Sequence, residues 1–394
     1  MFSNRVPGDL TSNRLTAAVA RLRAAGRPIV DLTESNPTRA GFQYPRDLLV
    51  PLADARALSY EPRPFGLIDA RRAIAADYAR RGIDVDAERI VLTASTSEAY
   101  SLLFKLLCDP ADDVLVPRPS YPLFDHLTRL DAVVTRPYAL EYHGAWSVDV
   151  ASVEHACTPR TRALLIVNPN NPTGSFVTRD ELERLASLCA DRGIAMIADE
   201  VFADYELTPG AAAAGGRVLD RRDVLTFGLG GLSKSVGLPQ VKLGWIAVAG
   251  PQTAVDRALE RLELLCDTYL SVSTPVQVAT AELLRRGGDV RSQIQVRVAA
   301  NYRQLATLAA ATPSCRVLRA DGGWYGVLQV PSLGPEEDLV LQMLETDGVL
   351  THPGYFFDFP RESYLIVSLL VPEPALAAAT RLMLRHFDCT PQRS

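Results

Sequence analysis

Four short segments of this 394-residue chain combine residue types that can do chemistry. Ala94-Ser95-Thr96-Ser97-Glu98 sets three small hydroxyl residues at the start of a helical pattern, where free backbone N–H groups suit a phosphate. Such residues are also ordinary helix caps, so this segment alone defines no site. In Asn168-Pro169-Asn170-Asn171-Pro172-Thr173-Gly174, two X-Pro steps bias the backbone toward extended and turned forms and leave amide side chains projecting from a stiff loop. Asp199-Glu200 closes an apolar run. A carboxylate placed where a sheet interior meets a cleft needs a cationic or proton-bearing partner, because an unpaired buried charge is costly. Gly228-Leu229-Gly230-Gly231-Leu232-Ser233-Lys234-Ser235 reads as a glycine- and serine-rich turn inside an apolar stretch. Desolvation there lowers the lysine's pKa and favours the neutral amine that Schiff-base chemistry requires.

These segments sit in a chain that alternates helical and strand-like patterns from about residue 67. Helix-period stretches run near 67–81, 97–108 and 178–192. Apolar runs at Arg89–Thr93, Asp113–Val116, Ala163–Val167 and Ile194–Ala198 lack polar alternation, which predicts strands buried on both faces of a mostly parallel sheet. Ligands in such a sheet sit at the carboxyl ends of the strands, where the loaded loops fall. Longer helical patterns over 251–312 include a candidate for a helix joining two domains. Strand candidates at Cys315–Leu318, Trp324–Val330 and Tyr364–Leu369, with helical segments 336–346 and 374–387, predict a smaller α+β domain. The expected division is an N-terminal segment 1–45 packing on the small domain, a large domain 46–270 and a small domain 271–394.

Composition narrows the class. Lys and Arg number 41 against 46 Asp and Glu, a net charge of −5 without long blocks of either sign, which argues against nucleic-acid or membrane-surface binding. The six cysteines never form a C-x-x-C pair and read as reduced thiols. The five histidines lack metal-ligand spacing, so no metal is expected. With no signal-peptide pattern and no apolar run of about 18 residues, the expected location is the cytoplasm.

Taken together, 168–174, Ala198-Asp199-Glu200-Val201-Phe202 and Leu232-Ser233-Lys234-Ser235-Val236-Gly237-Leu238-Pro239 resemble, in order and spacing, the class I/II aminotransferases of the fold-type I pyridoxal-phosphate enzymes. The resemblance runs from Asp31-Leu32-Thr33-Glu34-Ser35-Asn36-Pro37 to Pro353-Gly354. It implies a seven-stranded-type large-domain sheet with helices on both faces, and a pyridoxal 5'-phosphate cofactor. Lys234 matches the lysine that joins the cofactor aldehyde and then moves the substrate α-proton. Asp199 matches the partner of the pyridine nitrogen, Asn171 the donor to the phenolic oxygen, and Tyr121 the ring stacked on the pyridine. Ser95, Thr96, Ser97 and Ser233 fall at phosphate positions. Tyr60 resembles the tyrosine that reaches the phosphate from the partner subunit, which implies a homodimer with shared sites.

The chain departs from the family pattern at three places. Phe202 stands where a tyrosine is usual, so one donor to the cofactor is lost. Lys242 stands where an arginine is usual, keeping charge but losing the bidentate fork. Ile366 or Val367 stands where an arginine usually clamps the substrate α-carboxylate. Arg39, Arg63 and Arg361 are alternative cations, and Asn36, His352 and Tyr355 are further candidates for contact with substrate. The expected activity is ping-pong transamination between an amino acid or amine donor and a keto acceptor. A lyase, racemase or oxidase reaction on the same fold is the alternative, and a non-catalytic ligand-binding protein is a third reading. The segment ahead of the resemblance is too short for the DNA-binding domain such regulators carry.

Overall fold

The computed structural model describes residues 2–332 and 334–387; Cys389 lies outside them. Eight strands make the larger sheet, in the spatial order Ile90–Thr93, Gly244–Ala249, Thr226–Gly231, Ala195–Asp199, Thr161–Val167, Asp113–Arg118, Val134–Tyr142 and Trp146–Val148. Gly244–Ala249 runs antiparallel to both neighbours, and the run from Thr226–Gly231 to Val134–Tyr142 is parallel throughout. The strand beyond the expected seven is Trp146–Val148, which folds back as a hairpin on Leu140–Tyr142.

The central strands lack polar alternation because each supplies two cores. Leu164, Ile166, Met196 and Ala198 face one apolar cluster; Ala163, Leu165, Val167, Ala195 and Ile197 face the other. Helix Thr96–Leu107 covers the second face with Leu103 and Phe104. Helices Ile68–Arg80 and Arg179–Arg192 cover the first, through Ile74 and Tyr78 and through Leu182 and Leu185. Full burial of each such side chain contributes about 1.5–3 kcal/mol. Arg179–Arg192 starts at a capping box, where Thr178 accepts from the Glu181 N–H and the Glu181 carboxylate returns to the Thr178 N–H at 2.7 Å.

The segment from Gly228 to Gly231 is strand, not turn. Thr226–Gly231 is buried at every position, and its glycines serve close packing. A Cβ at Gly230 would lie 2.5 Å from Trp245 Nε1, and one at Gly228 2.9 Å from Leu219 Cδ2. Only the short helix Leu232–Ser235 forms the turn.

Helix Gly288–Ala309 runs 22 residues, from Val290 and Ile294 beside Gly237 to a second, four-stranded antiparallel sheet of Arg316–Val317, Tyr325–Gln329, Tyr364–Ser368 and His352–Pro353. Helix Thr274–Arg286 packs on Ile68–Arg80 beside the large sheet, and Gln277 accepts the Leu67 N–H at 2.6 Å. Near the N-terminus, Arg14–Ala24 packs on Glu336–Asp347, and Val30–Asp31 pairs in parallel with Val349–Leu350. Among the described residues no helix is long and apolar enough to cross a membrane, and no group of His, Cys, Asp and Glu is placed to hold a metal ion.

Candidate active site

The loops at the carboxyl ends of the parallel strands close around a cavity of about 330 Å³. Ser95, Thr96, Ser97, Tyr121, Asn171, Asp199, Phe202, Ser233, Lys234 and Lys242 all line it, so segments separated by almost 150 residues meet in one place. Each is delivered by a strand end. Asp199 is the last residue of Ala195–Asp199, Asn171 belongs to the loop after Thr161–Val167, and Lys234 sits in the helical turn after Thr226–Gly231. Both X-Pro bonds of the Asn168–Gly174 loop, Asn168-Pro169 and Asn171-Pro172, are cis.

Lys234 as a residue is half-buried because its stem borders the cavity, while its amine is enclosed by aromatic rings. Nζ lies 4.8 Å from the Trp324 ring centre and 5.6 Å from that of Phe202. Burial lowers its pKa to about 8, against an opposing pull from the Asp199 charge. Tyr205 anchors the lysine's own backbone by donating to the Lys234 carbonyl.

Asp199 is buried, and burial pushes its pKa up. The Tyr100 hydroxyl donates to Oδ2 at 2.8 Å and the Val201 N–H to Oδ1 at 3.2 Å, both opposing that rise. Asp199 enters no ion pair among the described residues.

At the other end of the cavity, helix Thr96–Leu107 presents its N-terminus. Ser95 does cap it, accepting from the Glu98 N–H at 3.1 Å, while Glu98 Oε2 accepts from the Ala94 N–H and from Ser271. Capping and lining the cavity thus coexist in Ser95. Gly244 lets its strand pass close to the start of this helix, since a Cβ there would lie 3.0 Å from the Thr96 nitrogen. Lys242, at φ 59°, holds a left-handed conformation unusual for a side chain with a Cβ.

Seven predicted contacts stand outside the cavity. Tyr60 is 74% exposed, and it borders a separate surface cleft with Arg63 and Tyr269. Arg63 pairs with Glu61. Asn36 accepts from the Thr38 N–H and hydroxyl within a local turn, and Arg39 is exposed just beyond it. His352 is held in the second sheet opposite Ile366 and packs edge-on to Phe357; burial lowers its pKa to about 4, so it is neutral. Tyr355 faces outward beside Glu336, which accepts its N–H. Arg361 is exposed too, and Ile366 and Val367 are fully buried in a strand. No arginine lines the cavity among the described residues.

The sequence reading missed Ser35 and Phe124 in the lining, and Tyr100 and Tyr205 behind it; Tyr325, expected chiefly as part of a core strand, also lines the cavity. Ser35 adjoins the flagged Asn36. Trp324-Tyr325 follows a Gly-Gly pair, but only tertiary contact shows that Tyr325 reaches the cavity. Tyr100 lies on the buried face of a helix and carries no local signal.

The fold and the four strand-end loops define a class of enzyme, and comparison with known proteins agrees. The family model "Aminotransferase class I and II" matches residues 29–378, and the chain belongs to that family. The alanine aminotransferase of Mycobacterium tuberculosis is 29% identical over 91% of this chain and 86% of that protein. The glutamate-pyruvate aminotransferase AlaA of Escherichia coli is 28% identical over 89% of this chain and 88% of that one. A crystal structure of an Escherichia coli aminotransferase superposes with a TM-score of 0.86 at 25% identity, covering 99% and 98% of the two chains. The chain is an aminotransferase of the pyridoxal-phosphate-dependent type.

The residues present fit that cofactor. Among the described residues Asn171 Oδ1 is buried without a hydrogen-bond partner, which a ligand carrying an N–H or O–H donor would relieve. Asp199 enters no ion pair among the described residues, and the Lys234 amine, whose pKa burial lowers to about 8, lines the same cavity. The helix N-terminus, Ser233 and Lys242 supply donors and positive charge for a phosphate.

Proposed function

We propose that this chain transfers the amino group of an α-amino acid to a 2-oxo acid, with Lys234 as the proton-transfer residue and Asp199 as the charge that sustains the reaction. The observation that carries the reading is the Lys234 amine, enclosed by Trp324 and Phe202 and facing the cavity that Asp199 also lines. When bound, pyridoxal phosphate supplies an aldehyde for the substrate nitrogen and a ring that accepts the electron pair left by the departing α-proton. Lys234, with a pKa near 8, would take that proton in its neutral form and return it to the carbon on the far side of the substrate nitrogen, acting as base and then as acid. Asp199 favours the protonated ring nitrogen. Ser95, Thr96, Ser97, Ser233 and Lys242 hold the phosphate, Asn171 meets the phenolic oxygen, and Tyr121 covers the ring. Phe202 adds a wall without a donor, which lets the enclosed amine stay dry.

Two relatives act in their printed names on alanine, or on glutamate and pyruvate, and these are the pairs to test first. The active unit we propose is a homodimer. Leu58, Tyr60, Leu264 and Tyr269 are 90%, 74%, 72% and 56% exposed, an apolar set suited to a second copy that would bring Tyr60 to the phosphate. The domain division at about residues 45 and 270 is likewise our reading, with Thr274–Arg286 the helix that ties the small domain back to the large one. A cytoplasmic setting is consistent with the five described cysteines, all unpaired.

The test incubates the enzyme with pyridoxal phosphate, a panel of amino acids and either pyruvate or 2-oxoglutarate. The expected outcome is an amino acid formed from the acceptor in equal amount to the oxo acid formed from the donor. Ammonia release without any acceptor would replace this reading with elimination or oxidation.

A further inference from the structure

Tyr100 is assigned no role by the reading above, yet its hydroxyl has one described partner, the Asp199 carboxylate 99 residues away in the chain. Its ring is clamped, stacked 6.0 Å from Phe104 and edge-on at 5.5 Å to Phe124, so the hydroxyl has little freedom. With the Val201 N–H on the other oxygen, both carboxylate oxygens are fixed and the group cannot rotate away from the cavity. A phenylalanine would fill the same space, and packing alone does not call for the hydroxyl.

We propose that Tyr100 is a positioning residue for the cofactor: its hydroxyl holds Asp199 in place and draws off part of its negative charge, so that the shared proton stays on the cofactor's ring nitrogen. A hydrogen bond donated to a carboxylate stabilises the ionised form and lowers its proton affinity. The inference rests on the proposed placement of Asp199 beside the ring nitrogen. Tyr100 acts only through Asp199, so its effect must vanish when Asp199 is gone, whereas a packing role would persist.

A double-mutant cycle on cofactor affinity separates the two. Ligand-free wild type, Tyr100→Phe, Asp199→Ala and the double variant are titrated with pyridoxal phosphate, to millimolar concentration, and binding is followed by quenching of tryptophan fluorescence. Tyr100→Phe is expected to weaken affinity by about tenfold or more with Asp199 present, the size of a lost hydrogen bond to a charged group, and by less than about twofold in the Asp199→Ala background. Equal weakening in both backgrounds overturns the proposal, because a loosened helix acts on both alike. No weakening in either overturns it as well. Wild type that fails to bind pyridoxal phosphate would instead remove the underlying reading of the site, an outcome distinct from a wild type that binds and a hydroxyl that does not matter.

Discussion

The enclosed amine gives the sharpest quantitative expectation. Lys234 loses its proton near pH 8, against an ordinary value of 10.5. At pH 7 about 9% of it is neutral, where an unshifted lysine would be about 0.03% neutral, a ratio of roughly 300. Desolvation between Trp324 and Phe202 is the main cause, so the shift belongs to the ligand-free chain and can be measured without cofactor. The assay is competitive labelling with acetic anhydride, a reagent that does not titrate, followed by mass spectrometry of each lysine peptide. With only Lys105, Lys234 and Lys242 in the chain, assignment is direct. Acetylation of Lys234 should rise tenfold per pH unit below pH 8 and level off above it. A Lys234 profile still climbing at pH 10 would refute the enclosure argument. The sign for stability follows from the same shift. Between pH 8 and 10.5 the unfolded chain holds a proton that the folded chain has released, so ligand-free stability from this group rises with pH across that window. The full span is about 3 kcal/mol. Below pH 8 both states are protonated, and the cost of burying the charge is felt in full.

Other perturbations have separate expectations. Lys242→Ala should weaken pyridoxal phosphate about tenfold or more while leaving pyridoxal, which lacks the phosphate, within about twofold in the same fluorescence titration. Gly230→Ala drives a methyl group into the Trp245 ring and should destabilise the fold by at least about 1–3 kcal/mol in chemical denaturation, because strand and ring are both buried. Thr178→Ala breaks the capping box and should cost about 1 kcal/mol with transamination unchanged, since Thr178 does not line the cavity.

The parallel core was legible because each central strand feeds two apolar clusters and so reads as an uninterrupted apolar run. The strand Val134–Tyr142 was not. Exposed positions and Pro137 at a sheet margin break the pattern that marks a buried strand. The four strand-end loops could be read since each packs its chemistry into five to eight consecutive residues. Ser35 and Tyr325 could not, being isolated residues almost 300 positions apart that only the folding of the two sheets brings together. Tyr100 was hidden for a different reason: on a helix face otherwise lined by Ala99, Leu103 and Phe104, a tyrosine reads as core, and its hydroxyl matters only because Asp199 arrives from another strand. The Gly228–Gly231 run misled because glycine signals a turn locally, whereas here Leu219 and Trp245 occupy the space where side chains would be.

Sheet register is what turns these residues into a site. In the parallel pairing Val167 lies opposite Asp199, and Asp199 opposite Leu229. The strand carrying the lysine therefore runs two residues further, through Gly230 and Gly231, before the turn brings Lys234 back over the strand ends. Alternation decides the rest. Asp199 and Val167 face the cavity, while Glu200, next in the chain, points the other way, toward Arg81 at 4.0 Å. A slip of one residue in Ala195–Asp199 would exchange the two carboxylates, setting Glu200 toward the cavity and Asp199 toward the guanidinium. The buried Ile197 and Ala198, committed to opposite apolar clusters, make that slip expensive. The hydrophobic pattern of a strand with no reactive group in its interior thus determines which carboxylate faces the lysine.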